Sequence, residues 1–257
     1  MSAPRPRRPR LVAGNWKMNK SASDGAALAR ELVAMWAAGL PCEIALCPPF
    51  TALESVGAAL RGSDVRLGAQ NLHAEPKGAF TGEISGTMLA ALGCRYVIVG
   101  HSERRHIMGE DDALVARKTR AAQRDGLTPI VCVGETLAER EGEKTTEVLV
   151  RQVLAVYEDL GAAKSLDTVI AYEPVWAIGT GKVATPEQAR DAHRVIRATL
   201  DRVVGPGTGE AMTILYGGSV NDANAVSLFA EGDVDGALVG GASLEAAAFW
   251  KICAAAR

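Results

Sequence analysis

Short runs of apolar residues recur along the chain, and longer segments of mixed polarity separate them. Residues 26–36 and 148–160 repeat their apolar positions at helical spacing, so these segments predict helices. Ser21, Thr51 and Thr136 each stand three residues before an acidic residue, a pattern typical of the capping box that starts a helix. The apolar runs themselves predict strands at residues 11–13, 43–46, 65–67, 96–99, 129–133, 169–172, 213–216 and 236–239.

The alternation of strand and helix predicts the fold class. Eight strand–helix units in a chain of this length are the signature of a parallel (β/α)8 TIM barrel, whereas a doubly wound sheet typically uses fewer strands. No linker interrupts the pattern, so we expect a single α/β domain over residues 11–257. Residues 1–10 are a basic Arg/Pro-rich leader without the apolar centre of a signal peptide, and we expect this leader to be disordered.

Composition limits the partners and the compartment. The 257 residues carry 28 Lys and Arg against 30 Asp and Glu, and a net charge of −2 offers no overall attraction to nucleic acid or to an anionic membrane. No apolar run is long enough to span a bilayer. The five cysteines include no CxxC pair, which argues for reduced thiols in the cytoplasm. The histidines show no metal-ligand spacing, so we expect no metal site.

Residues with chemical capability follow the predicted strands. The carboxyl ends of all strands in a parallel barrel share one rim, which is its catalytic face. Helix capping could explain some polar residues there, but it would not account for a lysine, a histidine and paired glycines together. In strand order the residues are Asn15 and Lys17, Pro48 and Pro49, Gln70 and Asn71, His101 and Ser102, Glu135, Glu173, Gly217 to Ser219, and Gly240 with Gly241.

The segment after the sixth strand joins a carboxylate to a candidate lid. Glu173 ends the strand because Pro174 disfavours further pairing, and Thr185 with Gln188 restarts a helix as a capping box. Between them the chain is too apolar for an ordinary solvated loop, so it can close over a ligand and exclude water. The alternative is an apolar connector that carries one solvated glutamate. The predicted lid comprises Pro174, Val175, Trp176, Ala177, Ile178, Gly179, Thr180, Gly181 and Lys182.

Paired glycines after the last two strands predict an anion site. Backbone N–H groups at 217–219 and 240–241 can face a phosphate, although either pair alone could be a tight turn. His101 precedes a helix start that Ser102 can cap, which disfavours an imidazolium and leaves a neutral ring able to donate to a substrate oxygen. A histidine in this place can also be purely structural. Lys17 is either a solvated cation or a second contact for the same anion.

Five stretches of sequence identify a family. AGNWKMN at 13–19, VGHSERR at 99–105, AYEPVWAIGTGKVAT at 171–185, YGGS at 216–219 and LVGGASL at 238–244 closely resemble triosephosphate isomerase. The resemblance runs in order from residue 11 to about residue 251. It implies interconversion of dihydroxyacetone phosphate and D-glyceraldehyde 3-phosphate, in glycolysis and gluconeogenesis, without cofactor or metal.

The resemblance also implies a role for each matching residue. The catalytic residues would be a carboxylate base, a neutral histidine, a cation near the substrate and an amide that orients an oxygen. These are Glu173, His101, Lys17 and Asn15, of which Lys17 and Asn15 also bind substrate together with Gly179, Ser219, Gly240 and Gly241. Glu103 matches the acid beside the catalytic histidine, and Cys132 matches a buried cysteine of the family.

The loop from Gln70 to Ser85 points to an assembly. It is long for a connection inside a compact barrel, and its tip carries Phe80 with little local support. The resemblance implies that this loop inserts into a second subunit near Lys17 and Met18, so we expect a two-fold homodimer.

Two other functions are compatible with such a barrel. One is an isomerase that acts on a larger sugar phosphate, against which the short lid over a small site argues. The other is a catalytically silent barrel that serves as a binding or scaffold protein, against which the intact set of catalytic residue types argues.

Overall fold

The chain forms a closed barrel in a computed structural model that describes residues 8–36, 39, 41–179 and 182–256. Its parallel strands pair in chain order, and the eighth strand pairs with the first. This confirms the predicted single-domain (β/α)8 barrel. The strands are β1 (Leu11–Asn15), β2 (Glu43–Cys47), β3 (Arg66–Ala69), β4 (Cys94–Val99), β5 (Thr128–Val133), β6 (Val169–Tyr172), β7 (Ile214–Tyr216) and β8 (Gly236–Val239).

Helices cover the outside of the barrel. None of those in the described ranges is both long and apolar enough to cross a membrane. The helices are α1 (Ala22–Met35), α2 (Leu53–Leu60), α3 (Gly86–Ala91), α4 (Ser102–His106), α5 (Asp112–Arg124), α6 (Leu137–Glu141), α7 (Thr145–Tyr157), α8 (Ala162–Leu166), α9 (Pro186–Val203), α10 (Thr208–Ala211), α11 (Ala225–Ala230) and α12 (Ala246–Ala255). Short 3-10 turns lie at Phe50–Ala52, Val175–Ala177 and Gly241–Leu244.

Buried side chains form two layers that the strands separate. In β1, Leu11 and Ala13 belong to the cluster that fills the barrel interior, whereas Val12 packs in the layer between strands and helices. Both faces of a strand are therefore buried, and the strand reads as a continuous apolar run rather than an alternating one. This is why the runs located the strands to within two residues.

Three of the five predicted helix caps are present. Ser21 accepts the Asp24 N–H, and Thr136 and Thr185 each form the complete capping box. The prediction for Thr51 is wrong, because Pro49 is followed by a 3-10 turn that already contains Thr51, and α2 starts without a side-chain cap.

The end of the predicted leader is in contact with the barrel. Residues 1–7 lie outside the described residues, as does residue 257. The Arg8 side chain is 7% exposed and spans the amino-terminal face, where its Nε donates to Asp235 at 2.6 Å and its NH1 donates to the Glu210 carboxylate at 2.9 Å. Asp235 comes directly before β8 and also pairs with Arg197 at 2.6 Å. Arg8 is thus part of a buried ion network, and the domain boundary at residue 11 stays a prediction.

Candidate active site

A cavity of about 390 Å³ opens where the carboxyl ends of the strands meet. The structure brings into its lining every predicted catalytic and substrate-binding residue. These are Asn15, Lys17, His101, Glu173, Gly179, Ser219, Gly240 and Gly241.

Glu173 is fixed against one side of this cavity. Its Oε2 accepts the Ser102 N–H at 2.8 Å, and its Oε1 lies 2.9 Å from His101 Nε2. The residue is 2% exposed. Burial alone would raise the pKa of Glu173, but the His101 ring, the Ser102 N–H and the Lys17 ammonium outweigh burial and hold the pKa below its usual value. At neutral pH the group is therefore a desolvated carboxylate.

His101 is the capping residue of α4. Its Nδ1 accepts the Glu103 N–H at 3.2 Å, so the single proton of the neutral ring is on Nε2, facing Glu173. Burial lowers the pKa of His101 while the Glu173 carboxylate raises it, with a net rise while the two side chains touch. The acceptor role of Nδ1 and the adjacent helix start oppose a second proton, and we assign the neutral tautomer. The prediction that Ser102 caps this helix is wrong, because Ser102 is already the first helical residue and the His101 ring accepts the Glu103 N–H.

Lys17 lies at the edge of the cavity in a strained conformation. Its φ of 52° is in the left-handed region that side-chain-bearing residues rarely adopt. Polar neighbours hold it there, since Asn15 Oδ1 accepts its N–H at 3.0 Å and Gln70 Nε2 donates to its carbonyl at 2.8 Å. Its Nζ pairs with Glu103 at 2.6 Å. The two backbone hydrogen bonds thus hold the strained backbone, and Glu103 holds the ammonium group.

The first half of the predicted lid lies against the barrel through Trp176. Its Nε1 donates to the buried Glu135 carboxylate at 2.9 Å, and the Arg140 guanidinium stands 4.7 Å from the ring centre. Arg140 also pairs with Glu135 at 3.1 Å. Ile178 and Gly179 continue from this contact to line the cavity. Of the predicted lid, Pro174 to Gly179 and Lys182 are described, whereas Thr180 and Gly181 lie outside the described residues.

The two glycine turns line the cavity beside Glu173 and Lys17. A Cβ at Gly217 would stand 2.8 Å from Glu173 Cγ, so the missing side chain leaves room for the carboxylate. The turn at Gly240 lies against Lys17, whose Cε is 3.5 Å from where a Cβ would stand. Within the described residues, no group accepts the N–H of Ser219 or Gly240. These donors are available to an anion in the cavity.

A second cavity of about 240 Å³ adjoins the first, since Asn15, Lys17 and His101 line both. Its rim is apolar and exposed, with Met18 95% and Met108 63% exposed. This exposed surface lies beside the catalytic residues but outside the first cavity.

Sequence reasoning missed the residues that support the site. The sequence places Gln70 and Glu135 at strand ends without a role. In the structure Gln70 binds the Lys17 carbonyl and Glu135 binds the Trp176 N–H, two groups that need hydrogen-bond partners. The described residues contain no cluster of three His, Cys, Asp or Glu side chains suited to a metal ion. The lining residues that lie outside the five quoted stretches are Val220 and Asn221.

Comparison with known proteins gives one consistent result. The family model described as triosephosphate isomerase matches residues 10–256. The triosephosphate isomerase of Thiobacillus denitrificans is 55% identical over 252 residues, which is 97% of this chain and 99% of that protein. That of Dechloromonas aromatica is 51% identical over 249 residues, again 97% and 99% of the two chains. That of Bordetella pertussis is 53% identical over 248 residues, 96% of this chain and 98% of the relative.

Proposed function

The chain belongs to the triosephosphate isomerase family, and from that premise we propose that this isomerase interconverts dihydroxyacetone phosphate and D-glyceraldehyde 3-phosphate through an enediolate. The observation that carries the proposal is the pairing of a desolvated Glu173 carboxylate with a His101 Nε2 at 2.9 Å in the same cavity as two glycine turns. A carboxylate can remove a proton from the carbon beside a carbonyl, and a neutral imidazole can donate to the oxygen that becomes negative. This family is the usual illustration of that combination.

In the proposed reaction the substrate replaces the contact between the two catalytic groups. Glu173 Oε1 and His101 Nε2 are 2.9 Å apart, so each would have to exchange this contact for one with the substrate. A substrate oxygen would accept the hydrogen bond from His101 Nε2. The Glu173 carboxylate, released from His101, would then move a proton between neighbouring carbons of the substrate. The Lys17 ammonium and the Asn15 amide would stabilise the enediolate oxygens.

The lid and the glycine turns would act on the phosphate end. We propose that N–H groups at Gly179, Ser219, Gly240 and Gly241 bind the phosphate and that the lid orders over it. Closure would exclude water and prevent the enediolate from eliminating phosphate. We propose that neither cofactor nor metal takes part.

A coupled assay of the purified protein with D-glyceraldehyde 3-phosphate tests the activity. We expect turnover, and we expect Glu173→Gln to lower it by at least ~10²-fold because the amide keeps the size but has no basicity. Glu141→Gln, a matched change at an exposed glutamate, should leave turnover unchanged.

Three outcomes would contradict the proposal. Turnover of larger sugar phosphates alone would favour the other barrel isomerase. No turnover of any sugar phosphate would favour a binding protein. Turnover of Glu173→Gln within tenfold of the unchanged protein would remove Glu173 from the role of base.

We also propose a homodimer through the loop from Gln70 to Ser85. Its tip is better supported than expected, because the Phe80 ring packs on His73 with ring centroids 4.1 Å apart. Phe80 is nevertheless 42% exposed. A preformed apolar tip matches the apolar rim of the second cavity in another copy, where it would brace Lys17.

Two changes test this assembly. Shortening 78–82 should yield a monomer by sedimentation, with turnover falling far more than substrate affinity, because the damage falls on the placement of Lys17 and His101. Met18→Glu should act in the same direction, whereas Val226→Glu, which charges an exposed apolar residue elsewhere, should leave the dimer intact. A monomer with unchanged turnover would refute the bracing role.

The cellular setting is proposed from composition and family. We propose action in the cytoplasm, in glycolysis and gluconeogenesis, without nucleic-acid or membrane partners. All five cysteines are unpaired, as the reduced compartment requires. Cell fractionation with the coupled assay would test the compartment, and activity confined to the membrane fraction would refute it.

A further inference from the structure

The side chain of Asn224 binds two successive peptide units beside the first cavity. Its Nδ2 donates to the Ser219 carbonyl at 3.0 Å, and its Oδ1 accepts the Asn221 N–H at 2.8 Å. These two groups belong to the peptide units on either side of Val220. Because each peptide unit is planar, a single amide fixes the orientation of both.

The amide of Asn224 is committed to this turn and not to a helix. Asn224 directly precedes α11, yet its side chain makes no capping bond to that helix. In return, Asn221 Oδ1 accepts the N–H groups of Ala223 and Asn224 at 2.9 and 3.1 Å. The two asparagines therefore hold each other and the turn in one arrangement.

Asn224 sets the orientation of backbone groups that form part of the cavity wall. The C=O and N–H of a trans peptide unit point in opposite directions, so drawing the Ser219 carbonyl toward Asn224 turns the Val220 N–H away from it. Ser219, Val220 and Asn221 all line the cavity, whereas Asn224 does not. Among the described residues, none accepts the Ser219 or Val220 N–H.

We propose that Asn224 is a positioning residue for the phosphate group of the substrate. It acts through the turn of residues 217–221, which it holds so that the backbone N–H groups of that turn face the anion. The inference rests on the proposed function for the identity of the ligand, but its geometry concerns phosphate binding alone.

Binding of 2-phosphoglycolate, measured by calorimetry, tests the inference without turnover. Asn224→Ala removes both hydrogen bonds, and we expect the dissociation constant to rise about tenfold. Asp222→Asn is the matched control, since it weakens the exposed pair with Lys251 on the same turn without touching either peptide unit. It should leave the dissociation constant unchanged.

A second measurement separates positioning from general damage. Asn224→Ala should raise the KM for D-glyceraldehyde 3-phosphate more than it lowers kcat, and it should leave the slow turnover of unphosphorylated D-glyceraldehyde unchanged. Equal losses on both substrates would mean a structural role and would overturn the inference.

The remaining outcomes distinguish this inference from the proposed function. A dissociation constant for Asn224→Ala within twofold of the unchanged protein would overturn the positioning role even if the enzyme is an active isomerase. Weaker binding in Asn224→Ala, in a protein that turns over no triose phosphate, would support the positioning role and refute the function. If Asn224→Ala does not fold, Asn224→Ser applies the same test, because a hydroxyl cannot span two peptide units.

Discussion

A methyl group added at Gly217 would test whether the position of Glu173 limits the reaction. The new Cβ would stand 2.8 Å from Glu173 Cγ and 3.1 Å from the Tyr172 carbonyl oxygen. The Gly217 N–H donates to that same carbonyl at 2.7 Å, which keeps the end of β7 from retreating. Because Gly217 does not have a positive φ, alanine is allowed there, and the Glu173 side chain must move instead.

The size of the effect follows from the contact distance. Carbon atoms pack at about 3.5–4.0 Å, so Glu173 Cγ has to shift by roughly 0.7–1.2 Å. Misplacing a reacting group by about 1 Å can cost ~10²-fold in rate. We therefore expect Gly217→Ala to lower kcat by about 10- to 100-fold in the coupled assay, in a protein that still folds.

The control and the refutation both use the same assay. Gly232→Ala adds a methyl group where no atom lies within 4 Å, and it should leave kcat unchanged. In a Glu173→Gln background the cost of Gly217→Ala should vanish, because no base is left to misplace. A Gly217→Ala enzyme with kcat within twofold of the unchanged protein would show that Glu173 can be displaced without loss of rate, and it would refute the reasoning.

Three further predictions concern the lid, the amino-terminal face and acid stability. Binding of 2-phosphoglycolate should change tryptophan fluorescence as the Trp176–Glu135 contact rearranges, and Trp176→Phe should abolish the change; an equal change in Trp176→Phe would count against lid movement. Arg8→Ala should lower the free energy of unfolding in urea by about 2 kcal/mol and leave kcat unchanged. The loss is smaller than for a buried carboxylate left without any partner, because Asp235 still pairs with Arg197. Unaltered stability would disprove the anchoring role of Arg8. Burial lowers the pKa of His193 to about 4, below the unfolded value of about 6.5. The contribution of the neutral ring to the free energy of unfolding is therefore fully present above pH 6.5, and it should fall by up to about 3 kcal/mol as the pH drops to 4. His193→Asn should flatten that decline, and an unchanged pH profile would contradict the assignment.

The fold could be predicted because its signal is local and repeated. Every strand is buried on both faces, so β1 to β8 each appear as an apolar run without reference to distant residues. The rim residues followed from strand order alone, since a parallel barrel gathers its carboxyl ends. Strand order therefore predicts Glu173 and His101 on one rim, and the structure places both in the lining of one cavity.

The parts that could not be predicted depend on contacts between distant residues. The contacts of Arg8 could not be read from the sequence, because its partners, Glu210 and Asp235, lie more than 200 positions away in the chain. The sequence predicts Ser102 as the cap of α4, but the helix begins at Ser102 and the His101 ring accepts the Glu103 N–H. His101 also contacts Glu173, a residue from a distant part of the chain.

Stability and chemistry are held by different residues at opposite ends of this barrel. The Arg8–Asp235 pair closes the amino-terminal face and touches none of the cavity residues, whereas Gly217 borders Glu173 at the carboxyl-terminal face. Activity should therefore survive loss of the Arg8–Asp235 pair but not a disturbance of the contact between Gly217 and Glu173. Arg8→Ala should shift the unfolding curve at constant kcat, and Gly217→Ala should lower kcat in a folded protein. If the two variants gave the same signature, the separation of the two faces would be wrong, and the catalytic geometry would depend on the stability of the whole barrel.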